Sequence, residues 1–106
     1  MEKFPTLSNK EAFILSYLTH NEQGYGLAMV RASSDLLKQS TVYVTLQRMT
    51  EKGYLNSWKE EEEEPGPPKR IYEVTKEGTA TYNAWRRMVL KIALQPVEDS
   101  DQVIKE

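Results

Sequence analysis

Apolar residues recur at helical spacing in several stretches of the chain, and two shorter stretches read as strands. The sharpest pattern lies in residues 38–55, KQSTVYVTLQRMTEKGYL. Val42, Leu46 and Met49 fall at i, i+4 and i+7, so they share one helical face. At about 100° per residue, the other side carries Ser40, Val44, Gln47, Arg48 and Glu51, with Thr41 at its edge. The helix should stop at Gly53 and pass into a strand. Its outer face starts small, polar and uncharged and turns basic at Arg48, with Val44 as an apolar exception. Such a face suits a DNA major groove. Small residues let the backbone approach, Ser, Thr, Gln and Arg pair with base edges or phosphates, and an apolar group can touch a thymine methyl. The same pattern also fits an ordinary amphipathic surface helix, so the neighbouring elements carry the distinction.

Before this helix, Ser8-Asn-Lys-Glu11 has the form of a capping box and opens a helix to about His20. Ile14, Leu15 and Leu18 make its core face, while Phe13 and Tyr17 lie on a second apolar face. Residues 25–32 form a second helix with Leu27 and Val30 inward, and Ser33 to Gln39 make the turn of a helix-turn-helix. Lys38 stands where a cap is expected but cannot cap, so the third helix starts weakly. After it, residues 54–59 and 69–74 read as a two-stranded ribbon. Its tip, Glu60 to Pro68, holds five glutamates, three prolines and one glycine and should stay irregular. Thr75 caps a last helix of about 20 residues. Gly78, Tyr82, Trp85, Val89 and Ile92 alternate steps of 4 and 3 along it, the seam spacing of paired helices, and Met88 widens the stripe. The predicted fold is mostly α with a small β-ribbon. A winged helix-turn-helix spans 1–75 (wing 54–74), a dimerisation helix 75–95 and a flexible acidic tail 96–106.

At 106 residues this is one domain, small enough that pairing with a copy of itself would add to its stability. The chain has no cysteine, which removes disulfides and thiol-based zinc sites. No apolar run reaches the roughly 20 residues of a membrane span, and no signal-peptide pattern opens the chain, so a cytoplasmic location is expected. The formal net charge of −2 runs against nucleic acid, but its distribution does not. Met1 to Lys59 carries seven basic and five acidic residues, and Pro65 to Gln95 six basic and two acidic. The excess acid sits in Glu60–Glu64 and after Pro96, and the local field matters more for DNA than the total. No nucleophile–base–acid set or glycine-rich phosphate loop is present, and no metal or cofactor site is expected, so the chain does not read as an enzyme. His20 reads as a surface residue, and the glutamate run as a solvated loop without a fixed cage for a cation.

Five segments together resemble the PadR-like family of bacterial transcriptional regulators. They are Leu7-x-x-x-Glu11-x-x-Ile14-Leu15-x-x-Leu18, Tyr25-Gly26-Leu27, Thr41-Val42-Tyr43-x-x-Leu46-x-Arg48-Met49, Gly53-Tyr54-Leu55 and Arg70-x-Tyr72-x-Val74-Thr75-x-x-Gly78. The resemblance runs from about Leu7 to Gly78. It implies a homodimeric DNA-binding regulator, most often a repressor, with Tyr43 reaching a DNA phosphate. It further implies that a small aromatic effector can bind at the dimer interface, where Trp85 is the candidate pocket residue. The expected contacts to double-stranded DNA are Lys38, Gln39, Ser40, Thr41, Tyr43, Val44, Gln47 and Arg48, with Lys69 and Arg70 at the wing. The expected dimer residues are Phe13, Tyr17, Tyr82, Trp85, Met88, Val89 and Ile92. The rival reading is a winged-helix protein-interaction module without DNA binding, for which the acidic wing is the best support.

Overall fold

Ser8 caps the first helix as its sequence predicts. Its hydroxyl accepts from the Glu11 N–H, while the Glu11 carboxylate accepts from the Ser8 N–H at 2.9 Å. Helix α1, Asn9–Asn21, follows. In the computed structural model, which describes residues 6–60 and 69–94, the element order continues with β1 (Gly24–Tyr25), α2 (Gly26–Ala32), α3 (Val42–Glu51), β2 (Leu55–Lys59), β3 (Arg70–Val74) and α4 (Lys76–Leu94). The predicted wing tip beyond Glu60 and the predicted acidic tail lie outside the described residues.

The core sits where the helical periodicity puts it. Ile14, Leu15 and Leu18 of α1 meet Val42, Leu46 and Met49 of α3, and Leu55 and Tyr72 close it from the sheet. Three expectations need correction. The second helix begins at Gly26, because Gly24 and Tyr25 are pulled into the sheet opposite Tyr72 and Ile71. The predicted two-stranded ribbon is therefore a three-stranded antiparallel sheet in the order β1-β3-β2. Within α2 the buried side chain is Met29, and Leu27 and Val30 are only half-buried. A seven-residue helix presents barely two turns to the core, too few for its apolar spacing to fix which side faces inward.

Thr75 joins the sheet to α4. Its hydroxyl donates to the Gly53 carbonyl at 2.6 Å and accepts from the Gly78 N–H at 2.9 Å. Gly78 is buried against the backbone carbonyl of Tyr54, a contact that leaves no room for a Cβ. Helix α4 then runs 19 residues, ~28 Å by rise. Tyr82 and Trp85 pack on the core, but the stripe is progressively uncovered toward the C-terminal end, where Val89 is 37% and Ile92 63% exposed. Among the described residues no helix is long and apolar enough to cross a membrane.

Candidate nucleic-acid interface

The turn between α2 and α3 is set by one buried hydroxyl. Ser33 Oγ donates to the Val30 carbonyl at 2.8 Å and accepts from the Leu37 N–H at 2.9 Å. Ser34 and Asp35 take positive φ angles of 51° and 73°, which reverse the chain and drop Leu37 into the core. The Lys38 carbonyl then accepts from the N–H groups of Thr41 and Val42. Lys38, Gln39 and Ser40 are therefore exposed residues of an entry turn, not of the helix itself. Thr41 precedes α3 without a side-chain cap, in keeping with the weak start expected there.

Helix α3 buries Val42, Thr45, Leu46 and Met49 and turns Tyr43, Val44, Gln47, Arg48 and Glu51 outward. Val44 is 58% exposed on a helix whose inner face is fully sealed. Gln47 Nε2 donates to the Glu51 carboxylate at 3.2 Å, across one turn. A groove of about 400 Å³ runs beside this face, lined by Thr41, Val44, Thr45 and Arg48 and, from the start of α1, by Ser8, Lys10 and Glu11. Burial alone would raise the Glu11 carboxyl, but the Ser8 backbone N–H and the Lys52 ammonium at 3.3 Å outweigh it and hold the pKa down. Its charge is thus internally answered, and Lys10 and Arg48 are the cations of the groove. Sequence reasoning missed Ser8 and Lys10, because only the packing of α1 on α3 brings them there.

Tyr43 leans on the start of α2. Its ring fills the space where a Gly26 Cβ would stand, at 2.7 Å, which is the reason glycine follows Tyr25. Behind it lies the buried Tyr72. Burial pushes the Tyr72 hydroxyl pKa up, Arg70 acts against that shift, and Tyr43 adds to it. Arg70 and Tyr72 share one face of the ribbon, and Tyr43 is within electrostatic range of Tyr72.

The register fixes what each side of the wing displays. Leu55, Ser57 and Lys59 oppose Val74, Tyr72 and Arg70. Asn56 and Trp58 oppose Glu73 and Ile71 on the other side, where Tyr25 lies across from Ile71. Arg70 donates from Nη1 to Ser57 Oγ at 2.9 Å. Lys69 instead stands 5.5 Å from the centre of the Tyr25 ring, and the Tyr25 hydroxyl donates to Glu60 Oε1 at 2.6 Å. Lys69 and Arg70, adjacent in sequence, are thus parted onto opposite faces. Glu60 differs from the solvated loop residue expected for it, since it holds Tyr25 and its N–H donates to the Lys69 carbonyl at 2.7 Å.

The predicted dimer residues form a second surface. Phe13 and Tyr17 are half-buried with ring centres 6.3 Å apart, and Tyr82 and Trp85 stack at the same spacing. Arg86 lies 6.0 Å from the Tyr82 ring. Met88 is half-buried, and Val89 and Ile92 continue the stripe into solvent.

Residues 14–84 match the model of the transcriptional regulator PadR-like family. Among solved structures, a PadR family transcription regulator from Clostridium difficile R20291 is 28% identical, with a TM-score of 0.67 over 83% of this chain and 97% of that one. A PadR-like transcription factor from Bacteroides fragilis is similar in fold, at 20% identity and a TM-score of 0.70 over 88% of this chain and 87% of the other. A PadR family regulator from Eggerthella lenta DSM 2243 gives 20% identity and a TM-score of 0.69, over 90% and 80%. No curated protein matches the sequence.

Proposed function

The chain belongs to the PadR-like family of transcriptional regulators, and from that premise we propose that it is a DNA-binding repressor acting as a homodimer on a palindromic operator. The observation that carries this reading is the outer face of α3. Among the described residues, nothing in the fold covers the exposed Val44 between Thr41, Gln47 and Arg48, and this face matches the donors and the methyl group that a major groove presents. In this reading Ser40, Thr41, Val44 and Gln47 read bases. Lys38, Gln39, Tyr43, Arg48 and Arg70 hold phosphates and set the register. The bare half of α4, with Phe13 and Tyr17 of α1, is the dimer surface, and a two-fold axis there would set two recognition helices roughly 34 Å apart. The stacked Trp85 and Tyr82 rings favour a flat aromatic effector at that interface, which would act by changing the tilt of the two α4 helices.

Arg48→Ala tests the DNA face. The side chain lies off the buried Val42/Leu46/Met49 face, so its loss opens no core cavity. The variant should melt as the wild type does and lose about 1–3 kcal/mol of affinity for operator DNA. Unchanged affinity would put the DNA surface elsewhere.

A further inference from the structure

We propose that Lys59 and Arg70 form a two-cation clamp for a phosphate of the DNA backbone, and that Lys69 stands outside it as part of the wing's frame. The proposal rests on the DNA-binding reading and adds Lys59 to it. Lys59 and Arg70 face each other directly across the β2–β3 ladder and are both exposed. Directly opposed side chains have Cβ atoms roughly 5 Å apart, and like charges in that relation repel. Such a pair ordinarily comes with a carboxylate to neutralise it. Here, among the described residues, the only ion pair is Lys52 with Glu11, which includes neither Lys59 nor Arg70. Arg70 spends one donor on the neutral Ser57 hydroxyl. The acid next to Lys59 in sequence, Glu60, lies on the opposite face and is taken by Tyr25.

Two adjacent cations with no acid between them among the described residues are an energetic cost to the free protein and an asset to one that closes on an anion. The side they occupy supports a phosphodiester as that anion. Lys59 and Arg70 share a face with Tyr72, and Tyr72 in turn stands within electrostatic range of Tyr43 at the start of α3. A strand flanking the groove read by α3 would run past Tyr43 toward the wing. Arg70 is suited to it, since its Ser57 bond fixes the guanidinium and leaves other N–H groups free for phosphate oxygens. Lys69 has the opposite orientation. It covers the Tyr25 ring while its backbone carbonyl receives the Glu60 N–H, so it closes the far side of the ribbon.

The test measures binding of a fluorescent random-sequence duplex against salt for Lys59→Gln, Arg70→Gln, Lys69→Gln and Arg48→Ala. Lys59→Gln and Arg70→Gln should each weaken binding several-fold near 0.1 M salt and lower the slope of log affinity on log salt by about one. Lys69→Gln should leave the slope at the wild-type value. Lys59→Gln should also raise the melting temperature by about 1–3 °C, because it relieves the cross-strand repulsion. This rise combined with weaker binding is what a purely structural lysine would not give. Wild-type binding by Lys59→Gln alongside a loss in Arg48→Ala would overturn the clamp and leave the DNA-binding reading standing. If neither change affects binding, both fall. A slope change in Lys69→Gln but not in Lys59→Gln would reverse the assignment and equally reject the clamp.

Discussion

Replacing Trp85 with Asp and Val89 with Lys together should yield a monomer, or a poorly folded chain, with little affinity for DNA. Among the described residues, half of α4 has nothing to lie against. The apolar stripe begins half-buried at Tyr82 and Trp85 and then emerges, with Val89 37%, Leu90 47%, Ile92 63% and Leu94 78% exposed. An isolated helix with such a face gains little from propensity alone, since helices in proteins owe most of their stability to packing. A second α4 and the Phe13/Tyr17 face of a second α1 would cover it about a two-fold axis. Trp85 and Val89 lie mid-stripe, where truncations at interfaces cost most, and charges buried there would cost more than a cavity does. The wild type should scatter light as a particle of about twice 12.3 kDa at micromolar concentration, and the double variant at about half that mass. A wild-type monomer would end the dimer and the two-half-site mechanism together.

Gly78→Ala should lower the melting temperature by more than 10 °C. An added methyl would overlap the Tyr54 carbonyl and stand 2.8 Å from Val74 Cγ2. The obstacle cannot swing aside, because that carbonyl accepts the Thr75 N–H at 2.9 Å and Thr75 itself ties Gly53 to the start of α4. Over-packing of this kind costs about 3 kcal/mol, and a domain of this size shifts by roughly 4–8 °C per kcal/mol. A thermal melt followed by circular dichroism measures it. A variant melting within 2 °C of wild type would mean that the α4–sheet junction yields easily.

The long elements were legible because their periodicity is strong. The capping box at Ser8, the inner face of α3 and the extent of α4 all follow from spacings of three and four. Short or tertiary features were not. Strand β1 has two residues, too few for a period, and exists only because Tyr72 and Ile71 offer it a ladder. Gly78 reads as the first member of a seam, yet its place is inside its own domain, since nothing local marks a helix that must press on a carbonyl. The parting of Lys69 from Arg70 and the pairing of Lys59 with Arg70 depend on hairpin register, which the irregular, acidic tip does not reveal. Lys10 reaches the groove beside α3 through the packing of α1 on α3 alone.

This surface either binds DNA or docks a protein and has no use for phosphate, and the two differ in their response to salt. Titrating wild-type protein into random duplex DNA at several salt concentrations tests DNA binding most directly. A regulator that neutralises several phosphates should bind weakly, with log affinity falling linearly on log salt at a slope of about −0.9 for each phosphate engaged. Absence of binding at low salt, or binding that does not respond to salt, would contradict it.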